Sequence, residues 1–208
     1  LGDVHGAPKD WPEELADPRG AAVQKARTDL AAGVEFHRWC QWVLDEQLAA
    51  AQEAAIDAGM AIGVMHDLAV GVHPEGADAW ALRDVLAKDV AVGAPPDMYN
   101  QMGQDWSQPP WRPDALADAA FIPYRDMLRT VLRHAGGIRI DHVLGLFRLW
   151  WIPRGMPANA GTYVRYDHEA LVGILALEAQ RAGAVVIGED LGTVEAWVQD
   201  TLKERGIL

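Results

Sequence analysis

Cysteine is nearly absent from this sequence, which has a single one, Cys40, among 208 residues. One cysteine excludes a disulfide within the chain and a metal cluster built on several thiolates. It also favours a reducing compartment, and we expect a cytoplasmic protein. Positive charge is scarce as well, since 18 Lys and Arg stand against 30 Asp and Glu and the formal net charge is -12 at pH 7. This balance argues against nucleic acid and anionic membranes as partners.

Long apolar runs and the common nucleotide motifs are also missing. No apolar run reaches the length that crosses a membrane, and the chain does not start with a basic and then apolar signal segment. Neither GxGxxG nor GxxxxGK[ST] occurs, so dinucleotide-binding and P-loop sites lose support. The chain opens on Leu1 and closes on "LKERGIL", and we expect it to be an internal segment of a longer protein.

Half of the residues are apolar, enough to bury a core, and their periodicity alternates between helix and strand. The predicted elements are helices over 34–58, 77–88, 124–132 and 167–182, a final helix capped by Thr193, and strands over 60–67, 137–143 and 184–190. Between them, residues 91–120 are rich in Pro and Gly and lack a period, which predicts a long functional loop. Strands that alternate with helices predict an α/β fold with a parallel sheet.

Each predicted strand ends in acidic residues. The pairs are His66-Asp67, Asp141-His142 and Glu189-Asp190. In a (β/α)8 barrel, the catalytic side chains lie at the C-terminal ends of several strands. We therefore expect the acids of these three strand ends to meet at one face.

Arg139 and Asp141 are two residues apart in a predicted strand, so their side chains face the same way. One interpretation is a structural ion pair, although desolvation offsets much of the attraction in such a pair. The other is a carboxylate nucleophile that the neighbouring guanidinium keeps ionised. The residues alone leave both interpretations open.

Glu189 follows the apolar run "VVIG", in which Gly188 leaves room for a close approach. It is a candidate general acid and base. Alternatively, it is an acidic residue that favours the N-terminus of the following helix. Two carboxylates that differ in protonation are what glycoside chemistry uses.

The long loop carries aromatic and amide side chains that suit the faces and hydroxyl edges of a sugar. They are Asp97, Tyr99, Asn100, Gln104, Trp106, Gln108 and Trp111. A structural alternative is that the tryptophans anchor the loop to the core. A metal site is a third possibility, with Mg²⁺ on Asp67, Asp141 and Glu189. A zinc site on His66, His73 and His142 has less support, because the sequence has neither HxH nor HExxH.

Several motifs together resemble the 4-α-glucanotransferases (amylomaltase or disproportionating enzyme, glycoside hydrolase family 77), in the form typical of actinobacteria. The motifs are "GIRIDHVLGLFRLWWIP", "GEDLG" and "GAPPDMYNQMGQDWSQPPW", supported in order by "DWPEELADP", "FHRWCQWVLDEQL" and "HDLAVGVHPEGADAW". The resemblance covers nearly the whole chain. It implies that residues 1–208 form the central part of a (β/α)8 barrel with insertions, and that 91–120 is a substrate-binding insertion loop.

The resemblance also implies roles for individual residues, in a retaining transfer of α-1,4-glucan segments between maltooligosaccharide, starch or glycogen chains. Asp141 would be the nucleophile and Glu189 the general acid and then base. The substrate-binding residues would be Arg139, His142, Asp67, Asp97, Gln104 and Trp106. Neither a cofactor nor a metal belongs to this set.

The chain departs from the family pattern in two places. Many members carry an aspartate where this chain has Glu75, which leaves the sugar contact at this position open. The family also uses a third carboxylate, in a later His-Asp block, which we expect downstream of Leu208. We therefore expect the chain by itself to be inactive. An α-glucan hydrolase and a non-catalytic carbohydrate-binding protein remain the alternatives.

Overall fold

A computed structural model describes residues 1–191 and 194–207 of the chain. Its helices are α1 (Gly2–His5), α2 (Ala21–Asp29), α3 (Ala31–Asp57), α4 (Ala77–Ala81), α5 (Pro113–Asp118), α6 (Ile122–Leu132), α7 (His168–Ala182) and α8 (Ala196–Glu204). Its strands are β1 (Met65–Leu68), β2 (Val90–Ala94), β3 (Gln104–Asp105), β4 (Gly137–Ile140), β5 (Arg148–Pro153), β6 (Thr162–Arg165) and β7 (Val185–Gly188). Thr193, the expected cap of the last helix, lies outside the described residues, and Glu195 precedes α8.

The three strands that the sequence predicts form one parallel sheet in the order β1-β4-β7, which confirms the α/β class. Asp67 lies opposite Arg139 in this sheet, and Ile140 lies between Leu68 and Gly188. The strands are therefore in step at their C-terminal ends, and the acids that follow them leave the sheet at the same edge.

A second, antiparallel sheet has the order β3-β2-β5-β6, and the sequence prediction missed it. The segment 91–120 is not a structureless loop, because it contains most of β2, all of β3 and the helix α5. Gly93 explains the tight pairing of β2 with β3, since a Cβ there would overlap the carbonyl oxygen of Gln104. The pairing of β2 with β5 joins residues such as Val90 and Pro153 that are far apart in sequence, so no local pattern reveals it.

Two of the predicted helices differ from the structure. The helix expected over 77–88 ends at Ala81, and Leu86 instead bridges to Trp111. The helix expected over 34–58 is confirmed as α3, but its apolar side chains do not enter the core. Phe36 is 57% exposed and Trp39 is 55% exposed.

The core joins the parallel sheet to α6 and α7 and extends to α5, α8 and the antiparallel sheet. The most deeply buried large side chains of the described residues are Val92, Leu116, Leu128, Ile138, Val143, Ile152, Val172 and Leu175. Asp167 caps α7 by accepting a hydrogen bond from the N–H of Ala170 at 3.1 Å, and Gly183 ends it in a left-handed conformation.

A buried carboxylate links the two core helices. Glu178 in α7 is only 4% exposed and accepts two hydrogen bonds from Arg129 in α6, at 2.8 and 3.0 Å. Arg181 donates a third at 2.7 Å. Among the described helices, none has both the length and the apolar composition needed to span a bilayer.

Candidate active site

The site is built on the C-terminal edge of the parallel sheet. Asp141 is the first residue after β4, and its N–H donates to the carbonyl oxygen of Leu68 in β1 at 2.9 Å. Glu189 is the first residue after β7, and its N–H donates to the carbonyl oxygen of Ile140 at 2.9 Å. These bonds extend both strand pairings by one step, so the backbone fixes the two acids on neighbouring strands.

Arg139 lies between two carboxylates. Its Nη1 donates to Oδ1 of Asp67 at 2.7 Å and its Nη2 donates to Oδ1 of Asp141 at 2.9 Å. The hydrogen bond to Asp67, and then that to Asp141, raises the pKa of Arg139, whereas its partial burial acts the other way. The guanidinium therefore stays charged beside both acids.

The structure confirms that Arg139 and Asp141 form an ion pair. The solvent exposure of the two side chains helps to decide between a structural and a functional role for this pair. The side chains of Asp141 and Asp67 are 39% and 64% exposed, and that of Arg139 is 35% exposed. Ion pairs with this much solvent contact contribute only about 0–1 kcal/mol to stability. A charged cluster at a strand end, open to solvent, is better suited to bind or react than to hold a core together.

Glu189 is held by backbone amides on both sides. Its Oε2 accepts from the N–H of His142 at 2.8 Å, and its Oε1 accepts from the N–H of Leu191 at 3.0 Å. Helix α8 begins only at Ala196, so the interpretation of Glu189 as an acid in the first turn of a helix is wrong. Asp190 points elsewhere and accepts a hydrogen bond from Gln199 at 2.9 Å.

His142 lies between the two acids in sequence and in space. Its backbone is left-handed, with φ 47 and ψ 62, which costs a non-glycine residue about 1–2 kcal/mol. Burial lowers the pKa of its imidazole, while the charges of Glu189 and Asp141 oppose that shift. The ring is therefore neutral near pH 7 and adds no charge to the site.

The loop before α5 reaches the site through Trp106. Its ring packs edge-on against the imidazole of His142, with 5.3 Å between the ring centroids. Its Nε1 donates to Oε1 of Gln104 at 3.1 Å, and its backbone N–H donates to the carbonyl oxygen of Val92 at 2.9 Å. The structure thus brings Trp106, together with Gln104, next to the residue that follows Asp141.

Asp97 and Glu75 are engaged in other contacts. Oδ1 of Asp97 accepts from the N–H groups of Tyr99 and Asn100 at 2.7 and 2.6 Å, which stabilises the turn of its own loop. Glu75 forms an ion pair with Lys9 at 2.9 Å. In this conformation neither carboxylate is directed at the acids of the sheet edge.

Trp111 follows the structural alternative considered for the loop tryptophans. Its ring packs against the core, and its carbonyl oxygen accepts from the hydroxyl of Tyr166 at 2.8 Å. Next to it, a mostly apolar cavity of about 120 Å³ extends from Leu82 and Leu86 to Asp141 and His142.

A metal site is not supported by the arrangement of the candidate ligands. Among residues 1–191 and 194–207, no three His, Cys, Asp or Glu side chains are grouped so that they could hold an ion. His66 lies on the opposite face of β1 from Asp67, and its Nδ1 is 2.6 Å from the carbonyl oxygen of Val131. Nδ1 of His73 accepts from the N–H of Glu75 at 3.1 Å.

Sequence reasoning missed the backbone amides that complete the site. They belong to His142, Val143 and Leu191, whose N–H groups all donate to Glu189. Every residue except proline carries such a donor. Its direction depends on the turn that follows the strand, so no residue type could have indicated it.

Comparison with known proteins gives consistent matches. A family model described as 4-alpha-glucanotransferase (glycoside hydrolase family 77) matches residues 4–208. The 4-alpha-glucanotransferase of Mycobacterium tuberculosis is 64% identical over 95% of this chain, which covers 27% of that protein. That of Haemophilus influenzae is 41% identical over 94% of this chain, which covers 28% of it. The chain thus spans about a quarter of the length of these curated relatives.

Two solved structures match the fold. The amylomaltase of Corynebacterium glutamicum is 69% identical with a TM-score of 0.82, over 84% of this chain and 25% of that one. The amylomaltase of Streptococcus agalactiae, solved in complex with acarbose, has a TM-score of 0.84 over 98% of this chain and 42% of that one. The second match is only 21% identical and therefore supports the fold alone.

Proposed function

This chain belongs to the 4-alpha-glucanotransferases of glycoside hydrolase family 77, and we propose that it supplies the nucleophile and the acid/base of such an enzyme. The observation that carries the proposal is the hydrogen bond from the N–H of His142 to Glu189, at 2.8 Å. This bond links the carboxylate of Glu189 to His142, the residue directly after Asp141. This bond supports an arrangement in which two acids from neighbouring strands flank one space, as a retaining mechanism requires.

In the first step, Asp141 attacks the anomeric carbon of an α-1,4-linked glucose unit. Arg139 supports this role, because its fixed charge at 2.9 Å stabilises the carboxylate before the attack. Glu189 gives a proton to the leaving oxygen, and the freed chain end departs. The product is a glucosyl group bound covalently to Asp141 with inverted configuration.

In the second step, Glu189 takes the proton from the 4-hydroxyl of an acceptor sugar. That oxygen attacks the anomeric carbon and releases Asp141, so the two inversions give net retention. The two carboxyl groups should then lie about 5–5.5 Å apart in the substrate complex.

Substrate binding falls to the residues around the two acids. Trp106 offers an aromatic face, Gln104 an amide, and the imidazole of His142 a neutral donor and acceptor; Asp67 holds Arg139 from the other side. Asp97 would bind glucan only after its loop turn rearranges, since that turn now uses its carboxylate. Donors and acceptors would be maltooligosaccharides or starch and glycogen chains in the cytoplasm, a substrate class in keeping with the acarbose complex of the S. agalactiae amylomaltase.

The architecture proposed for the whole protein is a (β/α)8 barrel in which β1, β4 and β7 are strands three to five. Their parallel order and the acids at their C-terminal ends support it. The third carboxylate of the family would come from a later strand. The loop 91–112 would cover the intermediate against water, which transfer requires.

A chimeric enzyme tests the proposal. In it, residues 4–208 of this chain replace the matching segment of the M. tuberculosis relative. From maltotriose, the chimeric enzyme should form glucose together with longer oligosaccharides. A folded chimeric enzyme that gives shortened products alone would instead support an α-glucan hydrolase.

The variant Asp141→Asn distinguishes an enzyme from a carbohydrate-binding protein. It should lower the rate by at least about 10³-fold, because the nucleophile is lost. Asp190→Asn is the matched control, since Asp190 is exposed and bonds only to Gln199 in the described structure. Equal rates for both variants would contradict the proposal.

A further inference from the structure

We infer that His142 is a positioning residue for Glu189, which it holds through the left-handed main-chain turn that it makes and not through its imidazole. This inference rests on the proposed function, because holding Glu189 matters to the reaction only if Glu189 is the acid and base. It adds a backbone requirement to a position whose side chain faces the substrate.

The directions of three consecutive amides carry the inference. In an extended strand, successive N–H groups point to opposite edges, so those of Asp141 and Val143 should point the same way. The N–H of Asp141 donates to Leu68 of β1 at 2.9 Å. The N–H of Val143 instead donates to the carbonyl oxygen of Glu189 at 2.9 Å, on the side of β7. The chain therefore reverses at the residue between them.

His142 makes this reversal with its positive φ of 47. As a result, two consecutive amides meet one residue: the N–H of His142 binds the carboxylate of Glu189 and that of Val143 binds its main-chain oxygen. The turn thus fixes both the backbone and the carboxylate of Glu189.

Packing leaves this turn little freedom. Val143 is fully buried, and a Cβ on Gly188 would lie 2.9 Å from its Cγ2. Only a glycine before Glu189 allows Val143 to sit this close to β7. The N–H of His142 already points to the side of β7, and the positive φ of His142 turns the N–H of Val143 to the same side. Both amides can therefore reach Glu189 only while this backbone stays left-handed.

The imidazole of His142 makes contacts that are separate from those of its backbone. It packs against Trp106 with 5.3 Å between the ring centroids, and burial lowers its pKa, so it carries no positive charge toward Glu189 near pH 7. The side chain and the backbone of this residue are therefore separable by mutation.

Four variants of the chimeric enzyme separate them. His142→Gly and His142→Asn lose the ring but favour a left-handed backbone, whereas His142→Ala and His142→Val lose the ring and disfavour that backbone. We expect kcat/KM on maltotriose to fall about 5- to 30-fold further in the alanine and valine variants than in the glycine variant. Valine should be the worse of the two.

A second donor shows whether the extra loss acts through Glu189. With α-maltosyl fluoride, Asp141 attacks the anomeric carbon as the C–F bond breaks, and fluoride leaves without a proton from Glu189. Azide then attacks the same carbon and releases Asp141 without a base. The glycine and valine variants should therefore react equally fast with this donor in the presence of azide, whereas Asp141→Asn should not be restored.

Ala120→Val controls for backbone strain as such. Ala120 is exposed, has a φ of 50 and lies outside the site, so this variant should keep its activity on maltotriose. Equal losses in all four His142 variants would overturn the inference and leave the proposed function intact. So would a difference between glycine and valine that persists with fluoride and azide. Absence of transfer by the unmutated chimeric enzyme would instead count against the proposed function.

Discussion

Arg139 donates a hydrogen bond from Nη2 to Oδ1 of Asp141 across 2.9 Å. The other end of the same guanidinium donates to Asp67 at 2.7 Å, so the proposed nucleophile and an acid from the neighbouring strand share one cation. The two terminal nitrogens of the planar guanidinium each reach one carboxylate, a geometry that lysine does not reproduce. The orientation of Asp141 therefore depends on residues of both β1 and β4.

Replacing Arg139 by lysine should lower kcat of the chimeric enzyme about 10²-fold, although the charge is kept. The one nitrogen of a lysine cannot occupy the positions of both Nη1 and Nη2, so one carboxylate must shift or lose its bond. A displacement of about 1 Å at the nucleophile is enough for a loss of this size. Steady-state kinetics on maltotriose measure it. Arg133→Lys is the control, because Arg133 forms a surface ion pair with Asp45 and is 54% exposed. If Arg139→Lys kept its kcat, Arg139 would not orient Asp141.

Trp106→Ala should lower kcat/KM on maltotriose about 10-fold and raise the share of hydrolysis. The ring packs against His142, and aromatic contacts of this kind contribute about 0.5–1.5 kcal/mol beyond their buried area. Its removal would also admit water to the glucosyl intermediate. Glucose released to water and glucose transferred to an acceptor are counted separately by chromatography. Gln101→Ala, at an exposed position of the same loop, should change neither kcat/KM nor the share of hydrolysis. If Trp106→Ala left the ratio of transfer to hydrolysis unchanged, Trp106 would not shield the intermediate from water.

Arg129→Gln should destabilise the contact between α6 and α7 by about 1–3 kcal/mol, because it removes two of the three hydrogen bonds that a buried carboxylate accepts. In Glu178→Leu, the stability of this contact should stay within about 1 kcal/mol of that in the unmutated protein. An apolar side chain of similar size can replace a buried ion pair without a large loss. Hydrogen exchange of the amides in α6 and α7 measures both changes. If both variants were destabilised equally, burying the unpaired carboxylate of Glu178 would carry no extra free-energy cost.

The same pair gives a dependence on pH. The hydrogen bond from Arg129 is the largest of the effects that lower the pKa of Glu178 from its ordinary value of 4.5. A depressed pKa means that the contribution to stability is present above pH 4.5 and is lost as the pH falls toward the depressed value. Hydrogen exchange of the amides in α6 and α7, corrected for the intrinsic exchange rate, should therefore accelerate as the pH falls below 4.5. Glu178→Leu should lack this acceleration.

The chain of residues 1–208 alone should not disproportionate maltotriose. In the described part of the chain, β1 and β7 each pair on one side only, and exposed strand edges invite association. We expect light scattering to show self-association that increases with concentration, and chromatography to show no transfer products. Measurable glucose and maltopentaose from the purified chain would contradict this expectation.

The candidate site was predictable from the sequence to the extent that it follows strand topology. The strands that lead to Asp67, Asp141 and Glu189 are short apolar runs, and parallel strands bring their C-terminal ends to one edge whatever lies between them. The shared face of Arg139 and Asp141 followed from the two-residue period of a strand. The structure confirms each of these placements.

The rest depended on pairings that no local pattern carries. The strand β5 has the sequence "RLWWIP" and pairs with β2. Most of β2 belongs to the segment 91–120, which is rich in proline and glycine, so propensity alone predicted a loop there. The apolar period of α3 correctly indicated a helix but not its burial, since Phe36 and Trp39 remain exposed. The left-handed turn at His142 gave no signal, because histidine does not specify a positive φ.

Trapping of the covalent intermediate tests the central claim most directly. In the chimeric enzyme with Glu189→Gln, α-maltosyl fluoride should form the glycosyl-enzyme without an acid, and the missing base should make the adduct long-lived. Peptide mass spectrometry should then find a maltosyl group on the peptide that contains Asp141, bonded to its carboxylate. An adduct on any other residue, or steady transfer without an adduct on Asp141, would contradict the account.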